Sequence, residues 1–162
     1  MPKSLLDHPK VLVFPPVILA ATIALGGALQ WLLPIDVLAT IRFAWRGPFG
    51  AAVIFTGILF AVTGRHLLAR LGTNVSPLRS TTALATEGIY NWTRNPLYTG
   101  GTLVMLGVAL IFALDWLVLL IVPSAFILHF GVVRREEQYL ERKFGDQYRQ
   151  YKLQVPRYGL RI

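Results

Sequence analysis

Three short stretches of the chain hold side chains able to do chemistry. In Arg94-Asn-Pro-Leu-Tyr-Thr-Gly-Gly101 the order predicts a helix start, with Asn95 as cap and Pro96 in the first helical position, where a missing N–H costs least. The same residues allow a second use. Free N–H groups beside Arg94 attract a carboxylate or phosphate, and Gly100 and Gly101 let either a ligand or a second helix come close. Farther on, Glu136 and Glu137 stand directly after an apolar run. Adjacent carboxylates at a membrane boundary repel unless a cation or hydroxyls sit between them. They either pair with Arg134 or Arg135, or they hydrogen-bond a ribose or a cationic ligand. Finally, Leu140, Phe144, Tyr148 and Tyr151 recur at helical spacing and predict one apolar face, that of an amphipathic helix lying at the membrane interface.

The elements that position these residues are apolar. Of the 162 residues 54% are hydrophobic and 15% charged, and the mean hydropathy is +0.54, which excludes an ordinary water-soluble domain. The net charge of +8 is not spread over a polar surface, so a membrane and not nucleic acid is the expected partner. A first span is predicted over 11–33, too long for a signal-peptide core of about 7 to 15 residues. A second lies over 48–64, lengthened by its flanking arginines. The run from Asn95 to Val133 has one charge, Asp115, and is too long to cross once, so it folds back as spans over 96–114 and 116–133. The expectation is a single domain over 1–162, an all-α integral membrane protein of about four spans, the last two a tight hairpin, followed by an amphipathic tail over 134–162. Of the 16 Lys and Arg, only Arg42 and Arg46 fall on the side opposite the termini. Both termini and the 72–95 loop are therefore expected in the cytosol.

That loop lacks helical periodicity and is rich in turn formers, yet Leu84, Ile89, Tyr90 and Trp92 need burial. A structured, functional loop is expected. Other chemistry is excluded or unsupported. The chain has no Cys, hence no disulfide, no thiolate nucleophile and no Cys-ligated metal. Neither a Rossmann nor a Walker fingerprint is present. His8, His66 and His129 lack metal-ligand spacing, and no metal is expected.

From Gly72 to Ile162 the order of loop, Arg-x-Pro-x-Tyr-x-Gly, helical hairpin, Glu-Glu, Phe-Gly-x-x-Tyr-x-x-Tyr and Val-Pro-Arg resembles the isoprenylcysteine carboxyl methyltransferase and phospholipid methyltransferase superfamily. The resemblance implies S-adenosylmethionine as cofactor, held by Leu84, Tyr90, Asn95, Pro96, Leu97, Tyr98, Gly100, Glu136 and Glu137. It implies Arg134 and Arg135 as residues that orient the acceptor, and a lipid or prenylated acceptor drawn from the bilayer of a bacterial inner membrane or endoplasmic reticulum. Asn95 stands where the carboxyl methyltransferases usually have His and is similar to the phosphatidylethanolamine branch, whereas the tail is similar to the carboxyl branch. Carboxylate and amine acceptors both remain open. Methyl transfer from a sulfonium asks for in-line positioning and little acid or base help, which suits a sequence without a catalytic triad. The alternatives are an NADPH-dependent membrane reductase of the sterol type, whose C-terminal pattern is similar, and a small membrane protein without enzymatic activity.

Overall fold

A computed structural model describes residues 8–76 and 79–159; Lys3 and Arg161 of the charge asymmetry, and Pro77 and Leu78 of the loop, lie outside them. Every described element is helical, and the chain is an all-α membrane protein. Helix α1 spans Pro15–Leu32, with prolines in its first turn, and a 3-10 turn over Leu38–Thr40 leads into α2, Phe43–Arg70. Helix α3 is Pro96–Phe112 and α4 is Asp115–Leu128. A π-helical turn, His129–Val133, joins α4 without a break to α5, Arg134–Phe144, and α6 is Asp146–Gln154. Three of these helical stretches are long and apolar enough to cross a membrane: Pro15–Leu32, Phe43–Arg70 and Asp115–Phe144; α3 is a shorter apolar helix.

Helix α2 starts earlier and ends later than its apolar run because backbone hydrogen bonding continues through the flanking arginines. Its 28 residues reach about 42 Å at 1.5 Å each, beyond the roughly 30 Å of hydrocarbon. It packs along α3 by a seam of glycines. A Cβ at Gly57 would meet the Gly100 carbonyl oxygen at 2.6 Å, and one at Gly107 would meet that of Gly50 at 2.6 Å, so the two backbones touch. Between apolar helices in lipid, such close packing replaces the hydrophobic drive that water would supply. Gly100 therefore serves the α2 contact.

The α3–α4 reversal occupies two residues, with Ala113 in the left-handed region at φ 51°. At this end Arg46 donates to the last carbonyls of α3, including that of Leu110 at 2.8 Å. Asp115 accepts the Leu38 N–H at 3.1 Å, and the Trp116 indole donates to the Leu33 carbonyl at 2.6 Å. These bonds tie the α1–α2 connection to the hairpin.

At the opposite end the tail folds back on the loop. Gly145, at φ 54°, separates α5 from α6, so the predicted apolar face is divided between two helices. Tyr148 and Tyr151 are buried against Tyr90 and Ala85, with Leu140 and Phe144 packed beside them. The apolar face thus covers protein, because the loop offers its own aromatic and aliphatic side chains as a partner.

Candidate functional site

The loop, the start of α3 and the helices α5 and α6 enclose a cavity of about 110 Å³. Its walls include Leu84 and Tyr90 from the loop, Asn95, Pro96, Leu97 and Tyr98 from the helix start, and Glu136 and Glu137 from α5. The structure so brings together eight of the nine residues nominated as cofactor-binding. Gly100, the ninth, lies in the α2 seam and does not line this cavity. Arg134 and Arg135 are also elsewhere. The Arg134 guanidinium lies over the Phe130 ring, and Arg135 donates to the Lys10 carbonyl at 3.1 Å.

The tail is stitched over the helix start. Arg94 N–H donates to the Pro156 carbonyl at 3.0 Å, and the Thr93 hydroxyl donates to the Arg157 carbonyl at 2.8 Å. Asn95 is the residue before α3, but its side chain does not cap the helix; its Nδ2 donates to the Arg157 carbonyl at 3.2 Å. The amide's donor end thus satisfies a carbonyl of the tail, as a buried polar group must be satisfied. The Tyr151 hydroxyl adds a bond of 2.7 Å to the Tyr90 carbonyl.

The two glutamates have different surroundings. Glu137 is buried and accepts from Arg157 Nε at 2.9 Å and Nη2 at 2.6 Å, with Arg94 Nη2 3.4 Å away. Its partners are therefore residues 20 and 43 positions distant in either direction, not Arg134 or Arg135. Glu136 faces the cavity and accepts from the Tyr98 hydroxyl. Enclosure by protein pushes its carboxyl up to about 7; the Tyr98 bond opposes that rise, and the Glu137 charge adds to it.

Arg94 has a cation's full hydrogen-bonding demand and little to meet it. Its side chain is 9% exposed, and among the described residues neither Nε nor Nη1 has a partner. Buried guanidinium donors of this kind call for an anion. One wall of the cavity thus asks for a carboxylate or phosphate, and another, the Glu136 carboxyl, asks for a cation or a hydroxyl. Tyr90, Tyr139 and Tyr148 line the space between.

The profile of the phospholipid methyltransferase family matches residues 45–147. The chain belongs to that family. No curated protein and no solved structure matches it significantly. The matched region runs from α2 into the start of α6 and contains both glutamates, Arg94 and the helix start. Membership supports methyltransferase activity of the phospholipid and isoprenylcysteine class.

Sequence reasoning missed Arg94 as a cavity residue and Arg157 as the partner of Glu137. Arg94 was visible beside the helix start, but its lack of a partner is a tertiary fact. Arg157 stands in the Val-Pro-Arg segment, with no periodicity to link it to α5. Tyr148 and Tyr151 showed only as members of a helical pattern, and Tyr139 stood outside it.

Proposed function

We propose that the protein transfers a methyl group from S-adenosylmethionine to a lipid-like acceptor that reaches it from the bilayer. The observation that carries this reading is the presence, in the walls of one cavity, of both the unpartnered Arg94 donors and the Glu136 carboxyl. The methionine end of the cofactor has a carboxylate and an ammonium, and its ribose has hydroxyls, so this donor set fits it. When bound, the cofactor supplies an electrophilic methyl group on a sulfonium.

The chain's own residues do the rest. Arg94 holds the carboxylate, and Glu136, ionised on binding, holds the ammonium or a ribose hydroxyl. Tyr90, Tyr139 and Tyr148 line the cavity and exclude water. Glu137 fixes Arg157, and Arg157 in turn holds the tail over the cavity. Cofactor pockets usually begin near 300 Å³, above the 110 Å³ seen here, so binding requires the cavity to widen. In the membrane, we take the spans to be α1, α2, α3 and α4 with its π turn, with both termini and the cavity on the cytosolic side, in keeping with the cation asymmetry.

The test is calorimetric titration of the purified full-length protein with S-adenosylmethionine and, separately, with NADPH. Saturable binding of S-adenosylmethionine is expected, and Arg94→Gln should weaken it about 10- to 100-fold, the usual cost of a lost charged hydrogen-bond partner. Binding of NADPH alone would favour the reductase alternative, and binding of neither would leave a non-enzymatic membrane protein.

A further inference from the structure

Two apolar grooves open sideways from the helical bundle, and Tyr98 lines both as well as the cavity. The wider, about 650 Å³, lies among α1, α2 and α3; the other, about 410 Å³, lies between α3 and α4. Their polar groups differ. The wider groove has Arg65 as its ionisable wall besides Tyr98 and contains no proton acceptor of the imidazole or carboxylate kind. The α3/α4 groove has neither Lys nor Arg in its walls, and it contains His129 and Tyr158.

Three observations mark the α3/α4 groove. His129 Nδ1 and the Tyr158 hydroxyl are 2.9 Å apart, which fixes the imidazole against the tail. The hydroxyl of Thr99, also in the groove wall, is buried and has no partner among the described residues. His129 is the first residue of the π turn, a helix distortion that recurs at functional sites.

We infer that the α3/α4 groove holds the reacting nitrogen of a lipid amine and that His129, oriented by Tyr158, takes its proton. The inference rests on the methyltransferase reading above and chooses between its two acceptors. A carboxylate needs no base in order to react, whereas a protonated amine must first lose a proton, and His129 is the imidazole in the groove wall that can take it. With Nδ1–H donating to the Tyr158 oxygen, Nε2 keeps its lone pair and has no partner among the described residues. The ammonium gives one proton to Nε2 and becomes a neutral amine with a free electron pair. That pair forms the C–N bond as the C–S bond breaks, and the departing sulfur keeps the bonding electrons. The methylated nitrogen is then cationic, and the imidazolium returns its proton to water past the tail. Among the described residues neither His, Asp nor Glu lines the wider groove, so it offers no such base. The charged groups around His129 are Arg134 and Glu137 from α5 and Arg157 from the tail, with Tyr158 and Tyr98 as neutral neighbours.

The test has three arms on the full-length protein in vesicles. First, methyl transfer from radiolabelled S-adenosylmethionine to phosphatidylethanolamine is followed against pH. His129→Gln should lower turnover about 100- to 1,000-fold at neutral pH, with activity recovering as pH rises toward the amine's own ionisation. Tyr158→Phe should lower it about tenfold, and affinity for S-adenosylmethionine should be unchanged in both. A parallel, pH-independent loss on a farnesyl-cysteine carboxylate would make His129 merely structural and overturn the proposal. Second, phosphatidylethanolamine with a photoreactive headgroup-proximal chain should mark Leu103, Ala125 or Phe126 in excess of a phosphatidylglycerol probe. Marking confined to Ile58 and Val62, or no excess at all, overturns the groove assignment. Third, calorimetry with S-adenosylmethionine runs alongside: loss of cofactor binding in the unaltered protein sinks the methyltransferase reading itself, whereas the adduct positions judge the groove separately.

Discussion

Glu136 and Glu137 are neighbours in sequence, and replacing each with Gln should have opposite effects on stability. Glu137 is the acceptor for two guanidinium groups, Arg157 at 2.6 and 2.9 Å and Arg94 at 3.4 Å. Removing one partner of a buried pair costs about 3–5 kcal/mol because the other charge is left without compensation. The Arg157 side chain is 33% exposed and can rehydrate, whereas that of Arg94 is 9% exposed and cannot, so the lower end, about 3 kcal/mol, is expected for Glu137→Gln. For a chain of this size each kcal/mol moves the melting temperature by about 2–4 °C, giving a fall of about 6–12 °C. Glu136 behaves differently, because its carboxyl sits at about 7 in the folded protein against 4.5 ordinarily. A raised carboxylate value means that the folded state prefers the neutral form. The contribution is fully present below the unfolded value and is lost as pH rises through about 7. From pH 6 to pH 8 the unaltered protein should lose about 1 kcal/mol by this route, and Glu136→Gln should lose none. At pH 8 without cofactor, Glu136→Gln should therefore melt at or above the temperature of the unaltered protein. The assay is thermal unfolding of the detergent-solubilised protein, followed by intrinsic fluorescence at pH 6 and 8. Equal losses in the two variants, or a larger loss at Glu136, would refute the division of roles.

Three further outcomes are expected. Since S-adenosylmethionine is to be met by ionised Glu136, its affinity should rise about tenfold from pH 6 to 8 beyond any change seen in Glu136→Gln; parallel slopes by calorimetry would contradict this. Gly57→Ala places a Cβ 2.6 Å from the Gly100 oxygen and should destabilise by about 1–3 kcal/mol, whereas Gly27→Ala meets nothing within 4 Å and should stabilise by about 0.5–1 kcal/mol. Because the chain has no Cys, single cysteines at the exposed Thr40 and Gln150 report topology in intact cells: an impermeant thiol reagent should label the first and spare the second, and the reverse pattern would invert the proposed orientation.

The legible parts of this molecule are those governed by local rules. A bilayer demands long apolar runs, and the helices lie where those runs are. The Asn95-Pro96 helix start also obeys nearest-turn chemistry and marks a real element, whereas the spacing of Leu140, Phe144, Tyr148 and Tyr151 runs across two helices, α5 and α6. What stayed hidden was the use to which those groups are put. Asn95 resembles a cap, yet bonds Arg157, 62 residues away; Gly100 resembles a ligand contact, yet serves Gly57 in another helix. Glu137 stands three residues from Arg134 and bonds Arg157 instead. In each case two partners satisfy the same local pattern, and only the tertiary fold decides between them.

The same distinction bears on why the cavity sits where it does. In the proposed reaction a polar cofactor and an apolar acceptor have to meet, and neither solvent suits both. Tyr98 stands where the problem is met: its ring belongs to the first turn of α3 and faces two lipid-side grooves, while its hydroxyl bonds Glu136 in the cavity. Such a residue presents an apolar body and a polar tip to two environments at once. Replacing it with Phe would keep the shared wall and remove the bond that opposes the rise in the Glu136 carboxyl, whereas Ala would remove both the wall and the bond. The position therefore uses an aromatic ring as the wall shared by cavity and grooves and a hydroxyl for electrostatics, which Tyr alone among the coded residues supplies.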